Sequence, residues 1–273
     1  MVAAASVRWE MVNGVRVATV APHLALVARA VVGGQGRFVP MTAAEARGIV
    51  ADELVVIDGP MFAACPGQEQ RDGESSDAYY RRLACARPLY ALLDRASGID
   101  VPTSYPTRGA TISITSDGRV AVADGATIAP GATFAMQGYP ALLRRSANVA
   151  NNAAGTNGQQ NWRAGIGVTA DGNIVFAVGR KDMEAFAAAM RAAGCVDAVY
   201  TDGGGSGRQE SDSVTYGSSE NRRVPVWIAA LPGALRAVTP ASAPAAPGSS
   251  WFKPVAAALA VLAGVAALFG ARR

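Results

Sequence analysis

The sequence has few of the residues on which metal and nucleophile chemistry most often depends. Its 273 residues include three cysteines and a single histidine, His23. No Cys-x-x-Cys pair and no Cys/His cluster occurs, so the usual zinc-binding patterns are absent. His23 precedes an apolar run, and nothing around it indicates a Ser-His-Asp or Cys-His mechanism. We therefore expect no metal ion and no cofactor.

The chain contains no acidic residue after Glu220. The basic residues that follow Pro232 are Arg236, Lys253, Arg272 and Arg273. Subtracting these 4 from the 25 basic residues leaves 21, which equals the 21 acids, so residues 1–232 carry no net charge. The net charge of +4 belongs to the tail and provides no basic surface for nucleic acid. We expect no nucleic-acid partner.

The three cysteines allow two interpretations. Cys65 and Cys85 could close one loop by a disulfide in an oxidising compartment, leaving Cys195 free. Alternatively, all three could be small buried thiols. The sequence alone leaves both interpretations open.

A change of composition divides the chain. Residues 233–250 are rich in Pro, Ala and Ser, which predicts a linker. Residues 251–273 contain an uncharged apolar run, 254–271, between Trp251-Phe252-Lys253 and Arg272-Arg273. Its length is near the lower limit for a bilayer span, and its flanks are typical of interfacial anchors. A soluble Ala-rich helix is the alternative, but the run has no polar face. We predict a single-pass C-terminal transmembrane helix.

The side of the membrane on which the domain lies is open. Arg272-Arg273 favours a cytoplasmic C-terminus and a domain outside the cell. The first ten residues do not resemble a secretory signal, because they have no basic start and no long apolar core. A tail inserted late, with the domain left in the cytoplasm, is therefore the alternative.

Residues 1–232 are predicted to form one α+β domain: a mixed sheet with hairpins and a few packed helices. Asp117-Gly118 and Asp171-Gly172 each stand between two apolar strand patterns, which predicts two hairpins. The amphipathic stretch 182–193 predicts a helix that ends at Gly194. Thr42 and Glu45 have capping-box spacing, and residues 78–93 also suggest a helix.

The stretch from Val199 to Gly207 is the centre of this organisation. A short apolar run ends in Asp202, which is followed by three glycines and Ser206. Glycines permit a sharp turn and bring backbone N–H groups close to a bound group, often an anion. An acid beside such a loop is typical of an active site, although a bare tight turn capped by Asp202 is an equal alternative. A second strand, 54–57, also ends in an acid and a glycine, Asp58-Gly59.

The order of these motifs resembles the phosphodiester glycosidase family over residues 10–232. The motifs that carry the resemblance are Asp58-Gly59-Pro60-Met61-Phe62, Gly138-Tyr139-Pro140, Arg163-Ala164-Gly165-Ile166-Gly167 and Thr201-Asp202-Gly203-Gly204-Gly205-Ser206. The last of these is fairly specific, and the others are weak alone. The chain departs from the family at Asp58, where Asn is usual, and at Pro60, where Gly is usual.

The resemblance implies hydrolysis of a sugar-1-phosphodiester of the N-acetylglucosamine type. Asp202 is then the first candidate for one carboxylate role of glycosidic cleavage and Asp58 the second candidate for the other. Arg163 could bind the phosphate bidentately. The groups expected to cradle or contact the substrate are Gly59, Gly203, Gly204, Gly205 and Ser206.

Two other functions are compatible with the sequence. The first is a binding module for glycans or wall polymers that has the same fold without turnover, which Asp58 in place of Asn makes worth considering. The second is a phosphodiesterase that cleaves the phosphate bond. It ranks last, because the sequence has no His/Asp cluster for two metal ions.

Overall fold

The structure is a computed structural model that describes residues 7–20, 25–32, 37–47, 55–151, 158–211, 215–220 and 222–231. Its helices are α1 (Ala43–Arg47), α2 (Ser76–Arg82) and α3 (Met183–Ala192). Its strands are β1 (Val7–Val12), β2 (Val15–Val20), β3 (Ala25–Arg29), β4 (Val31–Val32), β5 (Phe38–Val39), β6 (Val55–Asp58), β7 (Phe62–Ala64), β8 (Ala86–Pro88), β9 (Leu92–Asp94), β10 (Ile99–Val101), β11 (Ala110–Thr115), β12 (Val120–Asp124), β13 (Ala132–Gly138), β14 (Ala141–Arg144), β15 (Ala147–Asn148), β16 (Asn161–Thr169), β17 (Ile174–Lys181), β18 (Cys195–Tyr200), β19 (Arg208–Glu210), β20 (Thr215–Gly217) and β21 (Trp227–Leu231).

Four sheets contain these strands. The largest has seven strands in the order β1-β2-β17-β16-β18-β14-β15. Two five-stranded sheets have the orders β10-β9-β13-β11-β12 and β20-β19-β6-β21-β3, and β4-β5-β8-β7 form a sheet of four. The predicted domain with hairpins and a few packed helices is confirmed, with strands predominating, but the prediction of one mixed sheet is wrong, because the described strands form four sheets with antiparallel pairing. Every pairing between the described strands is antiparallel, both within hairpins and between strands that are far apart in the chain.

The seven-stranded sheet is buried on both faces. Along β17, Ile174, Phe176 and Val178 belong to the main core, which also contains residues of both five-stranded sheets. The alternate residues Val175 and Ala177 face the second core, where α3 packs through Phe186 and Met190. Since successive strand residues point to opposite faces, β17 is apolar throughout. Such a sheet fixes the ends of β16 and β18 firmly.

Local sequence signals account for α3 and for the predicted hairpins. The Asp182 side chain accepts a hydrogen bond from the N–H of Ala185 at 2.8 Å, and Gly194 has φ +91° just after the helix. The Thr42–Glu45 capping box is also present, because each residue's side chain accepts from the other's N–H. The two Asp-Gly turns join β11 to β12 and β16 to β17, as predicted.

The helix predicted over residues 78–93 is wrong beyond Arg82. α2 ends there, and β8 pairs with β7. Pro88 has no N–H for a helix, and the N–H of Cys65 bonds to the carbonyl of Cys85 at 3.1 Å. A disulfide joins these two cysteines, whose Cα atoms are 5.5 Å apart, while Cys195 is buried and free. The structure therefore has the disulfide alternative.

The predicted linker, 233–250, and the predicted membrane segment, 254–271, lie outside the described residues. All described residues fall within one compact unit, residues 1–238. In that described part, no helix is long and apolar enough to cross a membrane.

Candidate active site

The carboxylate of Asp58 joins three parts of the chain beneath the glycine loop. Asp58 ends β6 and is fully buried. One of its oxygens, Oδ2, accepts hydrogen bonds from the Thr201 hydroxyl at 3.3 Å and from the N–H of Asp202 at 3.1 Å. The other accepts from the N–H of Arg208, which begins β19, at 3.3 Å. The two aspartates predicted for the site therefore lie together.

The other predicted motifs meet at the same place. The N–H of Tyr200, the last residue of β18, donates to the carbonyl of Pro140 at 3.0 Å. The next residue, Thr201, donates to the carbonyl of Ala164 in β16 at 3.1 Å. Gly59 is buried and donates to the carbonyl of Val226 at 3.0 Å, so it packs against the protein. All four sequence motifs thus surround the end of β18.

Asp202 is the less buried of the two aspartates. The residue is partly exposed, whereas Ser206 is buried. The carboxylate accepts the N–H of Gly203 at 2.8 Å and is hydrogen-bonded by the Ser206 side chain. Ser206 ends a short 3-10 helix, Gly204–Ser206, which turns the chain toward β19. Ser206 and the N–H of Gly203 therefore fix the orientation of the Asp202 carboxylate.

A different structural constraint favours glycine at each of the three positions 203, 204 and 205. A Cβ on Gly203 would overlap the hydroxyl of Tyr200 and lie 2.8 Å from the carbonyl oxygen of Trp162. Gly204 has φ +61°, in the left-handed region that favours glycine. A Cβ on Gly205 would overlap Nε of Arg222 and a carboxylate oxygen of Glu220. Close approach by groups of the same chain therefore explains glycine at positions 203 and 205, in addition to the turn predicted for the run.

Burial controls the electrostatics of the two aspartates. Burial raises the pKa of Asp58 well above its usual range, and the negative charge of Asp202 raises it further. Burial also raises the pKa of Asp202, although the hydrogen bonds of Ser206 and Gly203 and the charge of Arg222 act in the opposite direction. Two neighbouring carboxyl groups with raised pKa values are typical of acid–base sites.

Arg163 lies beneath the loop. Its side chain is buried, and its Nε donates to the carbonyl of Lys181 at 3.2 Å. Its Nη2 donates to the carbonyl of Gln159 at 3.1 Å, and its guanidinium also hydrogen-bonds the hydroxyl of Tyr200. The structure thus shows a supporting role for Arg163 under Gly203, while its contact with a phosphate stays a prediction.

Three residues near Asp202 were not predicted from the sequence. Tyr80, in α2, lies with its ring 4.2 Å from the guanidinium carbon of Arg222. Glu220 accepts from Nε of Arg222 at 2.6 Å. The charges of Asp202, Arg222 and Glu220 all act on the pKa of the Tyr80 hydroxyl, which burial raises. The sequence around Tyr80 contains no motif, and neither does the sequence around Glu220 and Arg222. The proximity of these residues is therefore visible only in the folded chain.

The buried carboxyl group of Asp58 thus lies next to a partly exposed aspartate, Asp202, beside a tight glycine loop. The family model for phosphodiester glycosidases matches residues 99–230. The resemblance to this family is therefore confirmed for the part of the chain that includes Arg163, Asp202 and the three glycines. No curated protein sequence matches the chain significantly.

Solved structures share the fold. A protein from Burkholderia pseudomallei has a TM-score of 0.58 at 13% identity, over 80% of this chain and 74% of that one. The zebrafish N-acetylglucosamine-1-phosphodiester alpha-N-acetylglucosaminidase catalytic domain, auto-inhibited by its pro-peptide, has a TM-score of 0.54 at 14% identity, over 83% and 81%. A Synechocystis protein has a TM-score of 0.51 at 14% identity, and the match covers 82% of this chain but 61% of that protein.

Proposed function

We propose that this chain is a glycoside hydrolase that cleaves a sugar-1-phosphodiester of the N-acetylglucosamine type. The observation that carries the proposal is the carboxylate of the partly exposed residue Asp202, held by Ser206 and Gly203 next to the buried residue Asp58. The family match supports this chemistry, and the name of the zebrafish neighbour supports the choice of sugar.

In this proposal Asp202 contacts the reacting sugar as base or nucleophile. A phosphodiester is already a good leaving group, so the reaction does not require a strong general acid. Asp58 has no exposed surface and accepts the backbone N–H of Asp202, so we assign it a positioning role through Asp202. The N–H groups of Gly204 and Gly205 have no hydrogen-bond acceptor among the described residues and can face the substrate.

Incubation with UDP-N-acetylglucosamine, followed by measurement of free N-acetylglucosamine, tests the proposal. We expect release by the wild type and a loss of about 100-fold or more in Asp202→Asn, since general acid–base groups contribute on this order. Asp100→Asn, which changes an exposed aspartate of β10, is the matched control and should retain activity.

The outcomes separate the functional classes. Full turnover by Asp202→Asn would remove Asp202 from the chemistry. Binding of UDP-N-acetylglucosamine without release of any product would favour the glycan-binding module. Release of N-acetylglucosamine 1-phosphate instead of the free sugar would indicate a phosphodiesterase.

We also propose that residues 254–271 anchor the domain in a membrane, with the domain on the oxidising side. The apolar run between two sets of interfacial residues supports the anchor. The Cys65–Cys85 disulfide supports the orientation, because such bonds persist mainly outside the reducing cytoplasm. A domain outside and Arg272-Arg273 inside satisfies both observations.

A further inference from the structure

The guanidinium of Arg222 is held over the glycine loop by two side chains. Glu220 accepts its Nε at 2.6 Å, and the ring of Tyr80 lies against its face, with 4.2 Å from the guanidinium carbon to the ring centroid. On the loop side it approaches Gly205 so closely that any Cβ there would overlap it. An arginine held by its Nε and its face has only its two terminal amino groups left for a ligand.

Those two terminal amino groups have no hydrogen-bond partner among the residues that the structure describes. The Arg222 side chain is 17% exposed, so the amino groups are close to solvent yet belong to an ordered side chain. Arg163 differs, since it is buried and donates to the carbonyls of Lys181 and Gln159. Of these two arginines, Arg222 is the one arranged to receive an anion.

The position of Arg222 also suits a phosphate next to the cleaved bond. Its charge acts on Asp202, with which it makes no direct hydrogen bond. A phosphate oxygen between the two groups would be stabilised by the guanidinium, while the sugar carbon next to it faced the carboxylate. Terminal guanidinium nitrogens bind two phosphate oxygens together, which fixes the orientation of the group.

Tyr80 lies against Arg222 because a disulfide closes the segment that contains it. The disulfide between Cys65 and Cys85 encloses α2, on which Tyr80 lies. In the same segment Arg82 donates to both carboxylate oxygens of Glu74, at 2.6 and 2.7 Å. The ring of Tyr80 additionally packs edge-to-face on Phe62 of β7, with centroids 6.0 Å apart. The aromatic face under Arg222 is therefore anchored to the domain.

We propose that Arg222, and not Arg163, supplies the guanidinium that binds the substrate phosphate, and that Tyr80 is a positioning residue that holds it. This inference rests on the proposed function, because it names the phosphate contact of the same site. It also implies that the segment closed by the disulfide contributes to binding of the substrate phosphate through Tyr80.

Direct binding tests Arg222 without requiring turnover. UDP-N-acetylglucosamine is titrated calorimetrically into full-length Asp202→Asn protein that carries, in addition, Arg222→Lys, Arg163→Lys or Arg119→Lys. Arg119 is a matched control, since its side chain is 81% exposed and pairs with Asp117 in the turn between β11 and β12. We expect the Kd to rise about 10- to 100-fold for Arg222→Lys and to stay unchanged for Arg119→Lys.

The Arg163→Lys arm decides between the two arginines. We expect its Kd to stay within about threefold of the parent while its melting temperature falls, because lysine cannot replace the buried fork. A larger rise in Kd for Arg163→Lys than for Arg222→Lys would overturn the proposal. Failure of Asp202→Asn itself to bind UDP-N-acetylglucosamine would overturn it too.

Turnover separates this inference from the proposed function. In protein that retains Asp202, Arg222→Lys should lower kcat/KM for UDP-N-acetylglucosamine. The kcat/KM for p-nitrophenyl N-acetyl-α-glucosaminide, which has no phosphate, should stay equal to that of the wild type. Equal losses on both substrates would sink the phosphate assignment alone. Binding that depends on Arg222 in a protein without turnover would sink hydrolysis alone.

The role of Tyr80 is tested by a conservative pair. Tyr80→Phe retains the ring face and should bind like the wild type. Tyr80→Ala should raise KM about 3- to 30-fold, as the loss of a cation–π contact implies, with kcat changed less. An unchanged KM in Tyr80→Ala, or an equal rise in Tyr80→Phe, would contradict positioning by the ring.

Discussion

Asp58 and Asp202 are neighbouring carboxyl groups in different surroundings. Asp58 is sealed from solvent and accepts three hydrogen bonds from two other segments. Asp202 is partly exposed and is oriented by Ser206. Because the charge of Asp202 raises the pKa of Asp58, ionisation of both groups in the folded protein is costly.

This coupling predicts an unusual dependence of stability on pH. The pKa of Asp58 is raised above its ordinary 3.8, so the folded protein holds this proton at pH values where the unfolded chain has lost it. The free energy of unfolding then decreases as pH rises from about that ordinary value through the folded pKa. In Asp58→Asn this decrease should be smaller, and the stability should also be about 1–3 kcal/mol lower because one acceptor oxygen is replaced by a donor.

Urea unfolding from about pH 4 to about pH 8 measures both effects, with Asp100→Asn as an exposed control. Asp202 is present in both proteins, so the difference between the two curves reports the titration of Asp58 together with its coupling to Asp202. Curves that stay parallel across this range would contradict a raised pKa for Asp58.

At the residue scale, the sequence predicted the aspartates and the loop but not the guanidinium cluster. Asp58 and Asp202 each come after an apolar run of the sequence, and in the structure each of these runs is a strand. Tyr80 and Arg222 are 142 positions apart in the chain (222 − 80), and neither stands in a recognisable motif. Their meeting depends on the disulfide and on strand order, which no local pattern reports.

The glycine loop is predicted to respond differently at each position. Gly204→Ala should cost about 1–2 kcal/mol of stability, because φ is +61° but the nearest group, an Asn161 nitrogen, is 3.7 Å away. Gly203→Ala should cost more, since its Cβ would meet a backbone carbonyl. Gly205→Ala should mainly displace the side chains of Glu220 and Arg222 and thus weaken substrate binding.

Urea unfolding and binding of UDP-N-acetylglucosamine, measured for the three variants, check this order. A Gly205→Ala protein with unchanged affinity would show that the Arg222 position is unimportant. A Gly204→Ala protein as stable as the wild type would contradict the strain argument.

At the element scale, strongly patterned segments were predictable and ambiguous ones were not. Helix α3 has a cap, an apolar face and a terminal glycine, so its limits were predicted within one residue at each end. Residues 78–93 lack such agreement, and tertiary pairing of β8 with β7 decides their structure. The seven-stranded sheet order was not predictable, because it joins β2 to β17 across most of the chain.

At the scale of the whole molecule, we expect the domain to fold and act without its tail. A chain truncated after Pro232 should remain soluble without detergent and retain hydrolysis, whereas the full-length chain should fractionate with membranes. The reason is that the apolar run is marginal but uncharged, and the Pro/Ala/Ser-rich linker favours a free-hanging domain.

A truncation after Val226 is the matched control and should not fold, because it removes β21 from between β6 and β3. Full-length protein that stays soluble in the absence of detergent would contradict the anchor. A chain ending at Pro232 that fails to fold would contradict the independence of the domain.

The place of β21 also has a consequence for synthesis. In the order β20-β19-β6-β21-β3, the early strands β3 and β6 are joined only through β21, the last strand of the described residues. While the ribosome is still translating earlier codons, the nascent chain has both early strands but cannot join them. The surroundings of Asp58, at the end of β6, are therefore incomplete until residues 227–231 have been synthesised. In the proposed enzyme, the site around Asp58 can therefore form only after residues 227–231 have left the ribosome.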